Sequence, residues 1–158
     1  VCWTDRAPSL NNIGVRGRLI TSEGPLAGPI FIVADTIAPQ IYPHPIYVPT
    51  QKQYFILWED GRNAEDPNAN WRTIADLDIY GKWMSPNGEM FSDEIVFCKE
   101  PGIQRYSSIS YAANTDRMLI AWQDVVDEDL QLGETDDQAG QHVREQGGNI
   151  YAIAYGRP

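Results

Sequence analysis

Laid on itself so that Gly14 falls on Asp78, the chain superposes Gly14–Asp60 on Asp78–Asp124 without a gap, and eight of the paired residues are identical. Random pairing over a stretch of this length gives about three at average residue usage. The matches join Gly17 to Gly81, Gly24 to Gly88, Gln40 to Gln104, Tyr42 to Tyr106, Tyr47 to Tyr111, Ile56 to Ile120, Trp58 to Trp122 and Asp60 to Asp124. Other pairs keep their type, as Val15 does with Ile79 and Phe55 with Leu119. Part of the same unit flanks each end. Trp3-Thr4-Asp5 repeats Trp58-Glu59-Asp60, and Asn149-Ile150-Tyr151 repeats Asp78-Ile79-Tyr80. Self-similarity at this period points to a solenoid or a propeller. Length varies strongly at one joint: the step from Asp60 to Asp78 is twice that from Asp5 to Gly14, and the step from Asp124 to Asn149 is longer still. Variation confined to one place in a repeat predicts surface loops on one face.

Within the unit, short runs of β-branched and aromatic residues alternate with turn residues, which is the pattern of strands rather than helices. The pattern predicts four strands: Pro45–Val48 with Ile109–Ala112, Tyr54–Asp60 with Met118–Asp124, Val15–Ile20 with Ile79–Met84 and Ile150–Tyr155, and Phe31–Ala34 with Ile95–Cys98. Hairpin chemistry joins them at Pro49-Thr50-Gln51 and Asn114-Thr115-Asp116, and at Ser22-Glu23-Gly24 and Pro86-Asn87-Gly88. The expected fold is all-β, made of β-propeller-like tandem four-stranded antiparallel blades, about two and a half of them in this chain. The competing architecture is a β-sandwich or irregular barrel. The expected organisation is one repeat region, with a partial unit over 1–44, a full unit over 45–107 and a partial unit over 108–158. Closing a propeller takes about four or more blades, so the chain is expected to continue in a longer polypeptide or to associate with copies of itself.

Composition narrows the function. The 158 residues carry 12 Lys+Arg against 22 Asp+Glu, a net charge of −10, and the basic residues form no run. That balance opposes binding to a phosphate backbone. Five Trp, eight Tyr and four Phe in a chain that is 42% hydrophobic supply enough apolar surface for a packed core. Charged residues, Gly or Pro interrupt every apolar run well short of the roughly 18–20 residues of a membrane-spanning helix. Cys2 and Cys98 match no metal-binding spacing.

The elements Tyr54-Phe55-Ile56-Leu57-Trp58-Glu59-Asp60-Gly61-Arg62-Asn63, Asp78-Ile79-Tyr80-Gly81-Lys82 and Asn87-Gly88 resemble the W-x-D-x-R and D-I-Y-G tandem repeats of secreted bacterial β-propeller-like proteins. The resemblance implies an extracellular or cell-surface repeat domain, usually without catalytic activity. The first unit departs from the pattern, with Gly14 and Arg16 where Asp78 and Tyr80 stand, and the third has Ala152 in place of Gly81.

The repeated residues read as structure. Trp3, Trp58 and Trp122 each offer roughly 150–250 Å² to a core. Asp5, Asp60 and Asp124 stand at strand ends, where a carboxylate can accept amide hydrogen bonds from the following turn. The unrepeated residues are the candidates for function. Trp71 could stack on a sugar face while Arg72, Asn63 and Asn68 donate hydrogen bonds to its hydroxyls. Seven acids crowd into Asp124–Asp137, and among them Asp127, Asp129, Asp136 and Asp137 are candidate ligands for Ca²⁺, although the EF-hand order is absent. No other cofactor is expected. Motifs for serine or zinc hydrolysis, for nucleotide binding and for haem attachment are missing. A glycosidase needs two carboxylates about 5–10 Å apart on one site, and neighbours such as Glu59 and Asp60 point to opposite faces of a strand.

The sequence therefore reads as a non-catalytic extracellular repeat module for binding or assembly, with a glycan or protein partner. The alternatives are a fragment of a propeller glycoside hydrolase or sialidase-like enzyme, and a structural subunit of a cell-surface filament. A calorimetric titration with Ca²⁺ that releases no heat and leaves the melting temperature unchanged removes the acidic loop as a metal site.

Overall fold

Turn residues divide the apolar runs into strands, and the strands pair with their neighbours in sequence. The computed structural model describes residues 1–6, 13–66, 68, 74, 76–125 and 149–156. The strands are β1 (Cys2–Arg6), β2 (Ile13–Ile20), β3 (Leu26–Ala34), β4 (Gln40–Val48), β5 (Gln53–Asp60), β6 (Asp78–Met84), β7 (Ile95–Cys98), β8 (Ile103–Ala112), β9 (Arg117–Val125) and β10 (Asn149–Tyr155). They form three antiparallel sheets in chain order, β1-β2-β3, β4-β5-β6-β7 and β8-β9-β10. The described residues include no helix, and so none long and apolar enough to cross a membrane.

Each expected strand lies within an observed one. Three of them start well before the expected residue: β3 at Leu26 rather than Phe31, β4 at Gln40 rather than Pro45, and β8 at Ile103 rather than Ile109. Pro43 and Pro45 look like breakers, yet β4 is a sheet edge, where a missing N–H need not cost a ladder bond. Both β4 and β8 absorb the irregularity in a bulge, between Ile41 and His44 in the one and between Arg105 and Ser108 in the other. The two bulges occupy equivalent positions of the repeat, as do those at Val15/Arg16 and Ile79/Tyr80. The same equivalence returns in the backbone angles: φ is 52° at Tyr42 and 54° at Tyr106, 50° at Lys52 and 52° at Asp116, and 97° at Gly24 and 88° at Gly88. The glycines suit their hairpin turns, whereas a left-handed tyrosine costs on the order of 1–3 kcal/mol and needs a reason in its surroundings.

Cross-strand register repeats as well. Trp58 lies opposite Tyr80, and Trp122 opposite Tyr151. Their rings stack with centroids 6.2 Å apart and planes 20° apart in the first pair, and 6.1 Å and 17° in the second. Trp3 lies opposite Arg16, where the sequence had already lost the tyrosine.

Strand alternation decides the packing. Phe55 and Leu57 of β5, with Val48, Ile79 and Trp83, pack against Met118, Ile120 and Trp122 of the third sheet. Ile56 and Trp58, with Tyr80 and Met84, pack against Val15, Val33 and Ala34 of the first. The middle sheet is thus covered on both faces, which explains why β5 is an unbroken apolar run instead of an alternating one. Ile13, Ile41, Ile74, Leu77, Ile103 and Val125 form a further cluster that ties all three sheets together at one end. Cys2 and Cys98 are free thiols, one in each seam between sheets.

The repeated glycine on the third strand of the unit is a point of close approach. A Cβ on Gly81 would fall 2.4 Å from Cζ of Phe55 and 3.0 Å from Cε2 of Phe97, and one on Gly17 would fall 2.3 Å from Cε2 of Phe31. Gly81→Ala is expected to destabilise the fold by about 1–3 kcal/mol, read as a lower urea midpoint at unchanged slope.

Candidate functional site

The connections β1–β2, β5–β6 and β9–β10 leave the same end of the stack, because the strand pairs finish in one register: Asp5 opposite Gly14, Asp60 opposite Asp78, Asp124 opposite Asn149. Polar side chains of the middle sheet gather at this end. Asp60 sits at the close of β5 and is completely buried, so its oxygens need donors. Oδ2 accepts the Trp58 indole N–H at 2.9 Å and an Arg62 guanidinium N–H at 2.5 Å, while Oδ1 accepts the Arg62 backbone N–H at 3.0 Å. The expected strand-end cap is therefore present, and the W-x-D-x-R spacing has a cause. Trp and Asp two residues apart share a face, and the residue two further on folds back over them.

Arg62 extends the network. Its other terminal nitrogen donates to Glu94 at 2.5 Å, and its guanidinium carbon lies 4.4 Å above the centre of the Tyr80 ring. Burial alone would ease its proton off, but the hydrogen bonds to Asp60 and Glu94 outweigh this and hold the charge more firmly than usual. Asn63 donates from its amide nitrogen to Asp78 and to the Tyr80 hydroxyl, the latter at 2.9 Å. Burial, then the nearby Asp76 and Asp60 carboxylates, push Asp78 up to about 6 against the opposing effects of Asn63 and Lys99.

These contacts sort the residues expected to bind a ligand. Asn63 is exposed, but its amide nitrogen is engaged within the chain; Asn68 is exposed, with its backbone N–H on Asp66 Oδ1 at 2.9 Å. Trp71, Arg72 and the candidate Ca²⁺ ligands Asp127, Asp129, Asp136 and Asp137 lie outside the described residues. Among the described residues, no group of three or more His, Cys, Asp or Glu side chains is placed to hold a metal ion. Glu59 and Asp60 face opposite seams: Glu59 meets Ser107 of the third sheet, and Asp60 meets Trp58 on the side of the first.

Glu59 leads to the feature that sequence reasoning missed. In the first two W-x-D elements the middle residue accepts a backbone N–H from the first strand of the next sheet. Thr4 Oγ1 receives the Tyr42 N–H at 3.1 Å, and Glu59 Oε1 receives the Ser107 N–H at 3.1 Å. Both amides lie at or beside a left-handed residue: Tyr42 donates its own N–H, and Tyr106 immediately precedes the donor Ser107. The paired identity of Tyr42 with Tyr106 was a visible signal, but nothing in either residue type announces a positive φ.

Comparison with known protein families, with curated proteins and with solved structures finds no match for the chain.

Burial drives Glu59 up to about 7, against the pull of the Ser107 amide, the Arg105 charge and the Tyr106 amide. The folded state thus keeps a proton that the unfolded chain, at its ordinary value of 4.5, has released. This contribution is fully present below pH 4.5 and is lost as pH rises through about 7. Asp78 acts in the same sense over a lower range, while His44, lowered by burial, acts in the opposite one. Glu59→Gln is expected to flatten the pH dependence: the stability difference between the variant and the parent should grow by on the order of 2–3 kcal/mol from pH 5 to pH 8 in urea titrations.

Proposed function

We propose that the chain is a run of β-propeller-type blades forming a non-catalytic extracellular or cell-surface module, whose loops at one end of the stacked sheets bind a glycan or protein partner. One observation carries the reading. Strand register, bulges and left-handed residues keep the spacing of the repeat, while the connections that follow Asp5, Asp60 and Asp124 all leave the same end and lengthen from one sheet to the next. A scaffold held constant beneath loops that differ is how binding surfaces are commonly built. The resemblance of the W-x-D and D-I-Y-G elements to secreted bacterial repeats supports the blade architecture and the location outside the cell.

The polar network favours binding over catalysis. Asp60 already takes donors on both oxygens, Glu94 is paired with Arg62, and Glu59 lies beneath the third sheet. In this reading Trp71 supplies the stacking surface for a sugar ring, Arg72 and Asn68 donate to hydroxyls, and Asn63 braces the base of the loop through Asp78 and Tyr80.

A glycan array followed by a turnover assay on the bound sugars tests the proposal. The expected result is binding without hydrolysis, weakened at least tenfold by Trp71→Ala or Arg72→Ala. Hydrolysis abolished by replacement of one carboxylate would transfer the chain to the glycoside hydrolases. Binding unaffected by either loop variant would overturn the assignment of the site.

A further inference from the structure

The two seams inside the chain are the same interface made twice, and the outer faces of the first and third sheets present its two complementary halves. In the seam between the first and second sheets, Cys2, Val15 and Leu19 of the first meet Trp58, Met84 and Met90 of the second. Carried along the repeat, the positions of Trp58, Met84 and Met90 become Trp3, Ile20 and Leu26 on the first sheet, where they point away from the stack. Ile20 is 44% exposed and Leu26 56%, and Ile32 beside Arg16 is 55% exposed. Carried the other way, the positions of Cys2, Val15 and Leu19 become Ala121, Ile150 and Ala154 on the third sheet. These also point outward, with Ile150 72% exposed and Leu119, opposite Ala154, 50% exposed.

We infer that a second copy of this chain seats the outer face of its first sheet on the outer face of the third sheet, head to tail. The two faces fit each other in kind. Large side chains, Trp3, Ile20 and Leu26, stand on one, and the small Ala121, Ala152 and Ala154 leave room on the other. On the third sheet, every outward residue from Leu119 to Gln123 of β9 and from Ile150 to Ala154 of β10 is uncharged, and Arg16, which the first sheet brings into the contact, is already paired with Asp5 and Asp35. Continuity with the internal seams selects the counterpart face of the repeat as the occupant, since the same positions already meet across both seams, and a second copy of the chain supplies that face. Among the described residues the first sheet shows no counterpart of β4, so the contact rests on side chains and not on the backbone hydrogen bond received by Thr4 and Glu59. Because the two faces differ, the interface is heterologous and generates rings or open polymers instead of symmetric pairs.

This inference rests on the stacked-sheet fold and is independent of the glycan reading. Sedimentation velocity on the whole chain should show mass above the 17.8 kDa of one copy, increasing with concentration. Ile20→Glu on the first sheet, at the position of the buried Met84, and Leu119→Glu on the third, at the position of the buried Phe55, should each return a folded monomer, judged by an unchanged far-ultraviolet circular dichroism spectrum. An equimolar mixture of the two variants should form a one-to-one dimer, because each retains the face that the other lacks. Ile37→Glu, on an exposed connection outside both faces, should associate like the parent. If either face variant loses its β-sheet spectrum, Ile20→Gln and Ile150→Gln replace them. A folded parent that stays monomeric, face variants that still associate, or a mixture that stays monomeric would each overturn the head-to-tail contact while leaving the fold standing. A parent without a β-sheet spectrum would overturn the fold and the contact together.

Discussion

The structure depends on a strand that is buried on both sides. From Phe55 to Asp60 every residue of β5 is buried, and alternation sends Phe55, Leu57 and Glu59 into one seam and Ile56, Trp58 and Asp60 into the other. An aromatic residue of this size removes roughly 150–250 Å² from water, so Phe55 and Trp58 anchor one seam each. The same burial creates a difficulty at the end of the strand, where two carboxyl groups follow the apolar run. Asp60 is satisfied within its own sheet by Trp58 and Arg62, whereas Glu59 relies on a neighbouring sheet that must turn its backbone to reach it. The left-handed tyrosines are the local cost of that solution.

What was legible in the sequence was whatever side-chain type alone reveals. The runs around Ile56, Trp58 and Tyr80, the turn glycines Gly24 and Gly88, and the opposed directions of Glu59 and Asp60 all follow from period and residue class. The start of β4 did not, because Pro43 and Pro45 carry the local signature of a break and only an edge position with a bulge accommodates them. Arg62 was visible as part of a spacing, but its reach to Glu94, far along the chain, depends on how β7 pairs with β6. Asn63 has the composition of a ligand donor, and its engagement with Asp78 and Tyr80 becomes apparent only once β5 and β6 lie side by side.

The polar ends of the sheets diverge more than their apolar centres. In the second sheet a guanidinium from the loop covers Tyr80; in the first, Arg16 stands at the tyrosine's own position and lies 3.7 Å from Asp5 and 3.1 Å from Asp35. In the third, Gln104 is the described residue that reaches the repeated aspartate, donating to Asp124 at 3.3 Å. The common problem of a carboxylate at a strand end is thus answered with different partners in each sheet. Divergence gathers where the connections begin, and the stacked interior keeps its spacing.

The hydrogen bond across each seam also gives the stack a direction. The amide always comes from the later sheet and the acceptor from the earlier one, as Tyr42 to Thr4 and Ser107 to Glu59 show. A sheet turned over in the stack would set acceptor against acceptor or donor against donor. The arrangement is therefore a one-way row, in which the first two sheets each present an acceptor to the sheet that follows.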